Sequence, residues 1–139
     1  MKQLHKWIGN LLANLDEHVN EETTVKVLEN CGRSCISQNL VKKAKACHKK
    51  AKDVPDFLEK FSEIYSHLHI DHNNVYVVYP KCYCSLVKDH PGGLSPSWCY
   101  CSRGWVKELF ESVLEKPLQV ELEKSIVRGD DCCRFRVYL

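Results

Sequence analysis

The chain has 139 residues, a length that one hydrophobic core can serve. It is 44% hydrophobic and 27% charged, an ordinary globular composition that excludes a disordered or fibrous protein. Twenty basic against eighteen acidic residues give a formal +2, too balanced for an electrostatic nucleic-acid binder, so no nucleic-acid partner is expected.

The opening stretch spaces Leu4, Trp7, Ile8, Leu11, Leu12, Leu15 and Val19 with polar residues between them. That is helical periodicity rather than the unbroken apolar run of a signal peptide, and it predicts an amphipathic core helix. No stretch approaches the ~20 apolar residues of a membrane span, so no membrane partner is expected. A cytoplasmic protein follows, in which disulfides seldom persist. Nine cysteines then call for metal binding, redox chemistry or plain packing.

Asn20 is placed to cap a second helix, with Val25 and Leu28 inward and Gly32 as its stop. A third runs from Asn39 to Lys50, with Leu40, Val41, Ala44 and Cys47 on one stripe and a solvated lysine face opposite. Asp53 and Pro55 signal the start of a fourth, in which Phe57, Leu58, Phe61, Ile64, Tyr65 and Leu68 recur at three and four. His67, His69 and His72 fall at its end, and Asn73–Asn74 breaks the pattern.

Beyond that break the chain changes character. Asn74–Pro80 is dense in β-branched and aromatic residues and predicts a strand, which Lys81–Ser85 (KCYCS) continues or follows. A turn-rich loop leads to WCYCS, Trp98–Ser102, predicted as a second strand. Trp105, Leu109, Phe110, Val113 and Leu114 mark a helix. Pro117–Val127 and Cys132–Leu139 form an antiparallel pair turned at Gly129. A period of two puts Cys133, Phe135, Val137 and Leu139 on one face, with Cys132 on the other. The fold class is α+β: N-terminal helices (1–72), then an antiparallel sheet with one inserted helix (73–139), in a single domain over 1–139.

Cys-Tyr-Cys-Ser occurs twice. In extended chain, residues two apart share a face, so Cys82 pairs with Cys84 and Cys99 with Cys101. Four sulfurs brought side by side suit tetrahedral zinc or an iron–sulfur cluster. The alternative is that these cysteines are small buried hydrophobes with no chemistry at all. Cys31, Cys35 and Cys47 form a second group at a helix junction, where Arg33 would favour a thiolate and Cys31 or Cys35 could serve a redox role. Asp89 beside His90 is a pair that could orient an imidazole, and equally an ordinary turn.

The order Cys99, Gly104-Trp105, an amphipathic helix, Pro117-Leu-Gln-Val, Ser125 four before Gly129, then Cys133 and Phe135 resembles the 4-vinyl reductase domain. It is also similar to relatives described as L-2-amino-thiazoline-4-carboxylic acid hydrolase-like. The resemblance runs from Trp98 to Val137 and implies the α+β ligand-binding fold of NO-sensing and Golgi-transport domains. It further implies a small hydrophobic or aromatic ligand in the interior, and a homodimer. Sensor members hold a structural zinc on a cysteine before the helix, a Glu and a Cys in the following strand, and a Cys in the last strand. Cys99 and Cys133 match the first and last of these. Ser125 stands at the middle cysteine's place, and Leu122, flanked by Glu121 and Glu123, at the glutamate's.

The leading expectation is a small-molecule-binding domain with a cysteine-thiolate zinc site drawn from Cys82, Cys84, Cys99, Cys101 and Cys133. Phe61, Tyr65, Trp98, Tyr100 and Trp105 would line a pocket between the fourth helix and the strands. Two other readings stay open. One is a hydrolase-like enzyme using Cys31 or Cys35 with His48, or a metal-bound water with His90; the other is an iron–sulfur or redox protein.

Overall fold

Three of the four N-terminal helices begin on a side-chain cap. In the computed structural model, which describes residues 2–81, 85–90 and 94–139, α1 spans Gln3–His18 and α2 Glu21–Ser34; α3 spans Gln38–Lys50 and α4 Val54–Ile64. Asn20 accepts from the Thr23 N–H at 2.8 Å, Ser37 from Leu40 at 3.3 Å and Asp53 from Asp56 at 2.9 Å. Each supplies an acceptor to one of the unpaired donors of a first turn. β1 (Leu68–Asp71) and β2 (Asn74–Tyr79) form a hairpin, followed by a short α5 (Ser85–Asp89). A single 3₁₀ turn, Pro96–Trp98, opens into α6 (Cys99–Leu114), and β3 (Gln119–Lys124) and β4 (Cys133–Tyr138) close the chain.

The sheet has the order β1-β2-β4-β3 and is antiparallel throughout. Its inner face carries Val75, Val77, Val120, Phe135 and Val137. These pack with Val41 and Ala44 of α3, Phe57 and Phe61 of α4, and Val106, Leu109, Phe110 and Val113 of α6 in one core. On the outer face Arg134 bonds Glu123 at 2.8 Å across β3 and β4. One buried and one solvated face is the antiparallel, two-layer arrangement that the alternation in β4 foretells. A smaller cluster of Leu12, Leu28 and Leu94 joins α1 to α2.

Several expectations change on the structure. Trp98–Ser102 is not a strand: Ser95 caps the 3₁₀ turn, Pro96 begins it, and helix follows from Cys99. Its aromatic and cysteine content suggested extended chain, but the Ser-Pro start and the burial of Cys99, Val106, Leu109, Phe110 and Val113 follow the helical period. The fourth helix ends at Ile64, which is exposed, and Tyr65 is already extended. The sheet therefore begins at Leu68, so His67, His69 and His72 flank or occupy a hairpin instead of a helix end. His72 turns that hairpin with a positive φ of 56°. Gly32 lies inside α2 rather than ending it. Of α1, Leu12 is the buried residue; Leu4, Trp7 and Leu11 stay exposed, so this helix is less a core element than its periodicity suggests. Cys82 and Cys84 lie outside the described residues.

Candidate functional site: a buried thiol–hydroxyl cluster

Cys99 begins α6 and Cys133 begins β4. Both are buried, and their sulfurs are within hydrogen-bonding reach of each other. Ser125, fully buried after β3, brings its Oγ to 2.7 Å from Cys99 Sγ. Ser125 is held by its own loop. The Asp130 carboxylate accepts from the Ser125 N–H at 2.8 Å, and the Asp130 N–H donates to the Ser125 carbonyl at 3.0 Å. Gly129, at φ 99°, allows the chain to turn between them. The next backbone N–H, of Ile126, donates to Cys133 Sγ at 3.4 Å. Helix, loop and strand thus each deliver one polar side chain to a single buried point.

Burial and the neighbouring Cys99 thiol both favour the neutral form of Cys133, and the hydrogen bond from Cys99 is the larger influence. The Ile126 N–H works the other way, because a donor to sulfur stabilises the thiolate. Tyr79, the register partner of Cys133 across β2 and β4, bonds the Tyr65 hydroxyl at 2.8 Å. Burial pushes Tyr79 up to about 12 and Tyr65 higher still. The polar groups Ser125, Cys99, Cys133, Tyr79 and Tyr65 therefore form a band running through an otherwise apolar core.

The other candidate residues are distributed as follows. Cys101, two positions along α6 from Cys99, is turned about 200° from it around the helix, so the two do not share a face. Phe61 and Tyr65 stack in the main core with ring centroids 5.3 Å apart, and the Trp105 ring lies tilted to Tyr65 at 6.3 Å. Trp98 and Tyr100 pack instead against the Leu12, Leu28 and Leu94 cluster. The cleft between α4 and the β1–β2 hairpin, about 250 Å³, is lined by Val54, Pro55, Leu58, Ile70, Val75 and Leu139 among others.

Cys31 and Cys35 are exposed and make no side-chain hydrogen bond among the described residues. Arg33, expected to favour their thiolates, is engaged by Glu108 and by Glu111 at 3.1 Å on α6, and these carboxylates raise its pKa. His48 packs edge-on to Phe57 with centroids 5.4 Å apart. Asp89 pairs with His5 of α1 rather than with its neighbour His90, and this bond holds the Asp89 carboxyl below its ordinary range. Among the described residues no group of three or more His, Cys, Asp or Glu is arranged to hold a metal ion, and no helix is long and apolar enough to cross a membrane.

The roles of Asp130 and of the Tyr65–Tyr79 pair escape the sequence. The one local signal was the spacing of Ser125, Gly129 and Asp130, a serine and an aspartate bracketing a turn glycine.

These features define an α+β domain with a buried thiol–hydroxyl cluster where a helix meets a four-stranded sheet. The chain belongs to a family of unknown function, DUF6144, whose model matches residues 1–139. No curated protein matches it.

Proposed function

We propose that the protein is a small-molecule-binding domain braced by a zinc ion on cysteine thiolates, with Cys99 and Cys133 as two of its ligands. The observation that carries this reading is the convergence of Cys99, Ser125 and Cys133, three of the four positions at which 4-vinyl reductase-like sensors place zinc ligands. The N–H of Ile126 aimed at Cys133 Sγ is the kind of outer contact that stabilises a metal-bound thiolate. Two thiolates make half of a tetrahedral set. Cys82 and Cys84 would complete it: Cys82 follows Tyr79, the register partner of Cys133, by three residues, a tether of at most about 10 Å. Cys101 is left out because helical geometry turns it from Cys99. A closed thiolate set leaves no open position, so the metal is structural. The small apolar ligand is assigned to the cleft between α4 and the β1–β2 hairpin.

Metal analysis of protein purified without oxygen or added metal is the test. About one zinc per chain is expected, with a colourless solution and a melting temperature that falls on chelation. Metal at trace level would sink the zinc site, and a brown protein absorbing in the visible would replace zinc with an iron–sulfur cluster.

A further inference from the structure

Every ionisable side chain on the exposed half of α3 is a lysine. At about 100° per residue, Lys42, Lys43, Lys45, Lys49 and Lys50 cover an arc of about 160° centred opposite the buried Ala44. All five are exposed, with Gln38, Asn39 and Ala46 between them, and none has an ion-pair partner among the described residues. His48 falls outside the arc, against Phe57. Lys52 follows just past the helix, and residues 30–52 contain no Asp or Glu.

The whole-chain balance that argued against a nucleic-acid partner conceals this cluster. Residues 38–52 carry +6, which leaves fourteen basic against eighteen acidic residues, a net −4, on the rest of the chain. A basic excess gathered along one helix is an electrostatic footprint whatever the total charge. It also has a cost: Lys42 with Lys45 and Lys45 with Lys49 stand three and four apart, where like charges repel. A polyanion relieves that repulsion.

The surroundings select the polyanion. The charges are all ammonium groups, point donors suited to phosphate oxygens, and the arginine fork that pairs best with carboxylates is absent. No large apolar side chain lies in the arc to enter a bilayer. Along one flank Lys43 and Lys50 share a cleft with Lys60, Glu63 and the exposed Ile64 of α4. Asp56, bonded to Lys60 at 3.0 Å, and Glu59 and Glu63 all act on Lys60, so α4 presents net negative charge beside the lysines. An anionic membrane laid over α3 would meet those carboxylates too, whereas a single phosphodiester strand can follow the lysines alone. The row Lys42, Lys45, Lys49 rises about 10 Å, the axial length of about three nucleotides of one strand.

We propose that the exposed half of α3 docks on the phosphate backbone of a nucleic-acid duplex, through Lys42, Lys45 and Lys49 with Lys43 and Lys50 at the side. Contacts to phosphate alone carry no sequence information, so the binding is not sequence-specific.

Fluorescence anisotropy of a labelled 20-base-pair DNA duplex of mixed sequence, titrated with the full chain at 50 to 200 mM salt, tests this. Dissociation in the micromolar range is expected at the lower salt, weakening on the order of 100-fold at the higher, as about four phosphate contacts require. Lys42→Gln/Lys45→Gln/Lys49→Gln should bind at least about tenfold more weakly and lose most of the salt dependence. Glutamine keeps the helix propensity, so its melting temperature should match the parent's. Lys6→Gln/Lys26→Gln/Lys116→Gln removes the same charge from exposed lysines elsewhere and should bind within about twofold of the parent. No saturation at about 200 µM protein in the lower salt would overturn the proposal, as would equal weakening in the two triple variants. So would a parent chain that binds phosphatidylserine vesicles but not the duplex. None of these outcomes bears on the zinc site, which the metal analysis tests alone.

Discussion

Cys99 Sγ lies 2.7 Å from Ser125 Oγ, with Ser125 wholly removed from solvent and the Cys133 thiol also partnered by Cys99. A hydroxyl in this setting needs its partner, and Ser125→Ala should cost about 1–3 kcal/mol in urea unfolding. Ser125→Cys tests the site's chemistry instead. Placed in a Cys82→Ser background, where one of the four proposed thiolates is missing, it supplies a replacement thiol beside Cys99 with little change in volume, so zinc affinity measured by competition with a chromophoric chelator should recover at least about tenfold over Cys82→Ser alone. Equal affinity in the single and double variants would separate the cluster from metal binding.

Gly32 of α2 and Gly104 of α6 let the two helix backbones touch. A Cβ on Gly32 would lie 1.8 Å from the Cys101 carbonyl oxygen, and one on Gly104 would lie 2.0 Å from the Glu29 carbonyl oxygen. The contact is sealed by ion pairs above and below it: Glu29 with Arg103 at 2.6 Å and Lys107 at 3.2 Å, and Arg33 with Glu108 and Glu111. In an open helix, Gly→Ala stabilises by about 1 kcal/mol. Here the sign reverses. Gly32→Ala or Gly104→Ala must push two helices apart, and each should destabilise by about 2–4 kcal/mol, read as a fall in urea midpoint at unchanged m-value.

That pair also marks where the sequence stops being legible. Caps at Asn20, Ser37 and Asp53 are local and can be read from spacing, as can the period of two that buries Cys133, Phe135 and Val137. Gly32 looks the same whether it ends a helix or admits another backbone, because the deciding atoms belong to residue 101. Trp98–Ser102 fails for a related reason. Aromatic and sulfur side chains suit a strand and a buried helix equally, and a five-residue window holds too few turns to tell the periods apart. Within the site, the approach of Cys99 to Cys133 followed only from a resemblance, whereas Asp130 and the Tyr65–Tyr79 bond depend on tertiary packing that no spacing encodes.

Stability should fall at alkaline pH through the same cluster. Cys133 and Tyr79 both hold their protons more tightly folded than unfolded. Their contribution is therefore complete below the ordinary thiol value, about 8.5, and is lost as pH rises beyond it. Tyr79 adds a loss between the ordinary phenol value of about 10 and its folded value of about 12. Melting temperature of the zinc-free protein, followed from pH 7 upward, should stay level and then fall above about 9. Tyr79→Phe should flatten the upper part of that fall. A parent curve flat to pH 11 would show that these protons are not held by the fold. The zinc proposed for Cys133 would displace its proton, so zinc affinity should climb with pH over the same range.

Differential alkylation distinguishes a buried ligand site from a surface nucleophile. Cys31 and Cys35 are exposed, Cys47, Cys101 and Cys132 are half-buried, and Cys99 and Cys133 are buried. Iodoacetamide in native buffer, followed by peptide mass spectrometry, should label Cys31 and Cys35 first and at similar rates. Cys99 and Cys133 should react at least roughly a hundredfold more slowly, because they become accessible only when the fold opens. Urea should abolish that protection, and zinc should deepen it. Arg33 is occupied by two carboxylates, so neither Cys31 nor Cys35 should outpace a free thiol near neutral pH. One of the two labelled far ahead of the other would instead identify an activated nucleophile at the α2 terminus and favour an enzyme over the braced binding domain.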